Sequence, residues 1–175
     1  MITKWYKEAI KMTLASGGSA YSVNIPVRAV NNVVYYLASG NYFNMGNVTS
    51  VQLGANTWGL SVGTDDTPAT DTDYNLKSTI TSGISGVITN THGLDSNGRP
   101  YITYNVIITN LSTSNIVIKE IGYKANIFAG TAANVTGNLS GRTCLIDRTV
   151  LSTPLTVPAQ DNAAIHYTLK TDYNF

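Results

Sequence analysis

The sequence predicts an all-β protein, a β-sandwich or jelly roll carrying a single N-terminal amphipathic helix. Three observations point there. Apolar and polar residues alternate with period two in many short runs. Those runs are separated by Gly, Pro, Asn and Asp turn signals. Strand-like runs do not alternate with helix-like ones, which argues against the parallel βαβ architectures.

The first element is the exception. Ile2, Trp5, Tyr6, Ala9 and Ile10 recur at helical spacing, and Thr3, Lys4, Lys7, Glu8 and Lys11 occupy the opposite face. The pattern stops at Ser16-Gly17-Gly18, a helix-ending signal. Lysines interrupt the apolar stretch, so it is not a secretory leader. Its base-rich face and Trp5 fit a membrane surface less well than a packing or anchoring role. The chain therefore divides into a helix with a Gly-Gly joint, residues 1–18, and a β-domain, residues 19–175. The stripe Ile2, Trp5, Tyr6, Ala9 and Ile10 is the expected interface with another subunit.

Strands follow in order. Tyr21, Val23, Ile25, Val27 and Ala29 alternate with polar residues, and Pro26 puts that strand at an edge or a bulge. Asn31-Asn32 forms a turn before Val33 to Leu37, because Asn tolerates the left-handed region. Val51 and Leu53, then Trp58, Leu60 and Val62, continue the alternation. Asp95-Ser96-Asn97-Gly98 carries the Asn-Gly hairpin signal. Ile102, Tyr104, Val106 and Ile108 form one apolar face. After a polar turn at Leu111 to Asn115, Ile116 to Phe128 is the longest strand, with a bulge where its apolar phase shifts at Lys119-Glu120. Ala129 to Gly141 reads as an exposed loop. Leu145 to Leu151, Leu155 to Val157 and Ile165 to Leu169 complete the set, with Pro154 and Pro158 as punctuation.

Composition bounds the function. The 175 residues make one domain, long enough to form a core without disulfide or metal. Charged residues are 12% and hydrophobic residues 43%, a balance that excludes disorder. A net charge of +1 leaves no strong field for nucleic acid or an anionic membrane. No apolar run approaches the roughly 18 residues of a bilayer span. Cys144 is the only cysteine, so neither an intramolecular disulfide nor a cysteine-built metal site is available, and it reads as a small buried hydrophobe.

Several motifs invite a chemical reading. Gly59-Leu60-Ser61-Val62-Gly63 matches G-x-S-x-G, and Ser61, Asp147 and His166 follow the α/β-hydrolase order. That motif needs its serine on a sharp strand-to-helix turn, whereas here alternation continues straight through Ser61. Asp71-Thr72-Asp73-Tyr74-Asn75 opens like a calcium loop, but Leu76 stands where glycine is due and Ser82 where glutamate is due. The sequence leaves open whether Asp65, Asp66, Asp71 and Asp73 bind a cation. His92 and His166 read as surface residues. The 11 tyrosines suit strand packing first, and carbohydrate stacking or interfaces second. Asn47, Asn110, Asn134 and Asn138 begin glycosylation patterns that an Asn- and Thr-rich chain produces by chance. No catalytic residue and no cofactor is expected.

Two stretches carry a resemblance. Trp58 to Leu76 resembles the "V-G-T-G-x-T-x-P-x-x-x-D-x-x-L" stretch of small structural proteins of tailed bacteriophages, with Asp65 at the usual second glycine. Lys119-Glu120-Ile121-Gly122-Tyr123, then Leu145 to Leu151, Pro154 to Pro158 and Ile165 to Leu169, are similar to their "I-x-E-I-G", "L-x-x-R-x-V-L-x-x-P-x-x-V" and "Y-T-L" strands. The resemblance implies a non-enzymatic virion protein, foremost a capsid-associated auxiliary or decoration protein, otherwise a neck, tail or fiber-base component. It implies other virion proteins and copies of itself as partners, in a homo-oligomer, and residence in the virion or, during assembly, the host cytoplasm. Neither nucleic acid nor membrane is an expected partner. The rival reading from another class is a glycan-binding module of a receptor-binding protein, recognisable by exposed aromatics with Asn or Asp in one concave patch.

Overall fold

The computed structural model describes residues 3, 25–37, 43–44, 50–54, 57–129 and 140–170. Among these residues the chain is all-β, with nine strands in three sheets. The strands are β1 (Ile25–Arg28), β2 (Val34–Leu37), β3 (Phe43–Asn44), β4 (Gly59–Gly63), β5 (Ile84–Leu94), β6 (Pro100–Asn110), β7 (Ile116–Ala129), β8 (Ser140–Val157) and β9 (Asn162–Lys170). The expected helix, its stripe Ile2, Trp5, Tyr6, Ala9 and Ile10, its Gly17-Gly18 joint and the expected loop over 130–139 lie outside the described residues.

β1 and β2 form an antiparallel hairpin in which Pro26 faces Tyr36. Asn32 adopts the left-handed conformation at φ 65° that the Asn-Asn turn implies. The four-stranded sheet is built on β7. β3 and β4 pair with one edge of β7 and β8 pairs with the other, all antiparallel. The three-stranded sheet has the order β5-β6-β9, also antiparallel.

The two larger sheets share one apolar core. Leu60, Val62, Ile121, Tyr123 and Ile146 come from the first, and Ile88, Tyr104, Val106, Ile165 and Tyr167 from the second. Three tyrosines stack inside it. The Tyr104 ring lies 5.1 Å from that of Tyr123 and 6.4 Å from that of Tyr167. A phenol in such a place needs a partner. Tyr167 donates to the buried Asp147 carboxylate, which also accepts from the Thr149 hydroxyl at 3.0 Å. A smaller cluster of Val27, Ala29, Tyr35, Ile127 and Cys144 seats the hairpin on the ends of β7 and β8. Cys144 is buried there, and burial pushes its thiol up to about 12.

Four expectations change or sharpen. Leu145 to Leu151 and Leu155 to Val157 are not two strands but parts of β8, which runs 18 residues through Pro154. The reason is local. Register jumps from Ile118 opposite Leu155 to Glu120 opposite Val150, so residues 151–154 bulge out. Pro154 thus lacks an N–H where no ladder bond is required. That jump is also the bulge expected at Lys119-Glu120, and a second follows between Tyr123 and Lys124. Val51 and Leu53 do not form a strand. Ser50 bridges Val87, and the Gln52 N–H donates to the Leu60 carbonyl at 2.8 Å. The sequence pattern does not mark β5, because only Ile84 and Ile88 of its residues are buried and its polar run 89–92 breaks the alternation.

Candidate functional site

On β7, Ile121 and Tyr123 point into the core, so Glu120, Gly122 and Lys124 face the other side of the sheet. An open sandwich would present that side to water. Here residues 64–83 return across it. The Thr64 N–H donates to the Ser78 carbonyl and the Ile80 N–H to the Val62 carbonyl, both at 2.9 Å. A Cβ on Gly63 would collide with the Ser78 carbonyl and with Glu120, so this close approach requires glycine there, and one on Gly122 would push the Leu76 side chain aside.

Arg148 holds the returning segment down. It is fully buried, and its guanidinium donates in three directions. Nε reaches Glu120 Oε2 at 2.6 Å, Nη1 reaches Asp73 Oδ2 at 3.0 Å and Nη2 reaches Asp65 Oδ1 at 3.3 Å. Glu120 also accepts the backbone N–H groups of Lys77 and Ser78, at 3.2 and 2.8 Å. Asp73 accepts the Thr70 N–H and hydroxyl, each at 3.0 Å, and pairs with Lys77 at 3.0 Å. Burial alone would push the Asp73 carboxyl up, but these donors outweigh it and hold it below the usual carboxylate range. The Thr67 hydrogen bonds hold Asp65 low, and the Lys119 ammonium at 2.8 Å holds Asp66 low. Lys124 is also fully buried on this side, and burial pushes its ammonium down to about 8 despite the nearby Glu120. Two buried cations, Arg148 and Lys124, thus accompany two buried anions, Glu120 and Asp73.

This arrangement is a clasp. Both carboxylate oxygens of Glu120 and of Asp73 are engaged by N–H or O–H donors, an arrangement that suits ion pairing. Beside it lies a cavity of about 390 Å3 between the β1–β2 hairpin and the returning segment, lined by Arg28, Thr70, Asp73, Tyr74 and Lys77 among others. Tyr74 is the one aromatic among its described lining residues, short of the aromatic cluster that the glycan-binding reading asks for.

The hydrolase triad is not assembled. Ser61 lies in β4, on the face opposite Leu60 and Val62, fully buried, and its Oγ has no hydrogen-bond partner. Asp147 is bonded to Tyr167 in the core. His166 is exposed on the other sheet, with Nδ1 2.7 Å from Asn105 Oδ1, and His92 is also exposed. The four aspartates do not converge on a cation. Asp65, Asp66 and Asp73 pair with Arg148, Lys119 and Lys77, and no group of three metal-ligating side chains forms among the described residues. Asn110 is buried, and its amide donates to the Ser114, Val157 and Pro158 carbonyls at 2.8 to 3.0 Å, so it is a turn clasp rather than a glycan acceptor.

The motifs that carry the resemblance include Glu120 and Arg148, but sequence reasoning assigned no partner to them or to Lys124. The available signal was charge inside strands otherwise rich in Ile, Val and Tyr, which demands either water or a partner. Comparison with family models, curated proteins and solved structures finds no match to this chain.

Proposed function

We propose that this chain is a non-enzymatic structural protein of a tailed-bacteriophage particle, with a capsid-associated auxiliary or decoration role ahead of a neck, tail or fiber-base role. One observation carries the reading. The two stretches that resemble such proteins meet in space: Gly63, Asp65, Asp73 and Leu76 of the first interlock with Glu120, Gly122 and Arg148 of the second. Residues engaged in this way serve the shape of a domain, which is the demand on a protein whose work is to hold contacts. Two sheets sharing one core also fit the β-sandwich expected of it. The engaged carboxylates and the buried, unaligned Ser61 support the non-enzymatic part.

The test is to purify tailed particles from the virus that encodes the chain and locate it by antibody labelling and density. Regular copies on the capsid shell are the expected result. Copies confined to the neck or tail would keep the virion reading and overturn the decoration role. Absence from intact particles would overturn the proposal.

A further inference from the structure

The side of the three-stranded sheet that faces away from the core is nearly without charge. Along β5, β6 and β9 the outward positions are all half-buried or exposed. They carry no carboxylate, and Lys170, at the end of β9, is their only ammonium. Three apolar side chains cross this face in one row: Val87 opposite Ile107, and Ile107 opposite Ala164. Val87 is 65% exposed and Ile107 53%. Two registers away, the Thr103 and Thr168 hydroxyls bond each other at 2.8 Å. The ion pairs of Asp65, Asp66, Asp73, Glu120 and Arg148 gather instead on the outer side of the other sheet.

We propose that this face is an isologous interface with a second copy of the chain, the two three-stranded sheets packing face to face. Charge argues for that occupant. A surface with no acidic residue and one peripheral lysine has nothing with which to select a charged partner, yet it meets its own copy without like-charge repulsion. Hydroxyl and amide groups on the face, such as Thr103 and Asn105, already bond within the sheet, so covering them strands fewer polar groups. Three strands spaced about 4.8 Å apart, each of about ten residues rising about 3.3 Å, make a patch of roughly 500 Å2, below the roughly 800 Å2 per partner of a standard interface. A contact of that size makes a weak, reversible dimer. The inference does not rest on the virion reading, and a monomer in solution would leave that reading standing.

Sedimentation of the full chain over a concentration series tests it. The wild type should pass from monomer to dimer. Ile107→Glu, at an exposed position, should keep the wild-type circular dichroism spectrum and weaken dimerisation at least tenfold. Ala164→Asp, in the same row but on the edge strand, provides the same test if Ile107→Glu fails to fold. Leu111→Glu, exposed on the β6–β7 turn and off this face, should dimerise as the wild type does. A wild type that stays monomeric throughout, or an oligomer that persists in the folded Glu or Asp variants, would overturn the proposal.

Discussion

Removing the Arg148 guanidinium would leave Glu120 and Asp73 buried with one fewer counter-charge. Breaking a buried pair from one side typically costs about 3–5 kcal/mol. Arg148→Met should therefore lower the unfolding free energy by that much, read as a lower denaturant midpoint at unchanged slope, and an unchanged midpoint would mean that the clasp contributes nothing. Ser61 is the opposite case. Its Oγ is buried without a partner, so Ser61→Ala should leave stability equal or raise it by about 1 kcal/mol, and a fluorophosphonate probe should leave Ser61 unlabelled. Lys124 makes a pH prediction. Its folded value of about 8 lies below its ordinary 10.5. Between the two, the unfolded chain holds a proton that the folded chain has shed, so this group's contribution to stability rises with pH across that window. At about 1.4 kcal/mol per pH unit the change amounts to roughly 3 kcal/mol. The stability of Lys124→Met relative to wild type should therefore fall as pH goes from about 8 to 10.5. A flat difference would show that Lys124 is not desolvated. Comparing the variant with the wild type cancels Cys144, Tyr104 and Tyr167, whose raised values act in the opposite direction.

Among the elements, the β5–β6 hairpin shows local chemistry at its clearest. The Asp95 carboxylate accepts the N–H groups of Asn97 and Arg99 at 2.9 and 3.0 Å, and Gly98 sits at φ +73° with open space around it. Gly98→Val meets no clash, so its cost is backbone strain alone, about 1–3 kcal/mol, read as a lowered melting temperature. An unchanged melting temperature would contradict it. This turn was legible because its geometry is decided within five residues. The strand that enters it was not. β5 buries Ile84 and Ile88 and is otherwise held by eleven registered pairs with β6, which its own pattern does not encode. The sequence pattern breaks β8 at Pro154 for a related reason: the bulge that accommodates the proline is set by the register with β7.

For the whole molecule, Thr3 ties the leading segment to β8. Thr3 was expected on the polar face of a helix, yet it is fully buried. Its N–H donates to the Ile146 carbonyl at 2.9 Å and its hydroxyl to the Leu145 carbonyl at 2.8 Å. That contact covers part of the β8 edge. A chain starting at Ser19 should still fold, since the described core clusters draw only on residues from Val27 onward, but should melt lower and aggregate sooner through the uncovered edge. Loss of all β-structure by circular dichroism would show that the leading segment belongs to the core. An unchanged melting temperature and solubility would show that the Thr3 contact is dispensable.

The all-β class, the hairpin turns at Asn31-Asn32 and Asn97-Gly98, and the bulge at Lys119-Glu120 are all legible in the residues alone. These depend on side-chain period and on backbone conformations that only certain residues adopt cheaply. Burial of Cys144 follows from the same pattern, whereas of the strand tyrosines Tyr35, Tyr104, Tyr123 and Tyr167 are buried and Tyr36 and Tyr101 are half-buried. That Arg148 is buried, that Glu120 and Asp73 are its counter-charges, and that residues 64–83 cover one side of a sheet emerge only once the chain is folded. The cause is range. A charge inside a strand is tolerable or ruinous according to what sits opposite it, and the partners of Arg148 lie 28, 75 and 83 residues away along the chain.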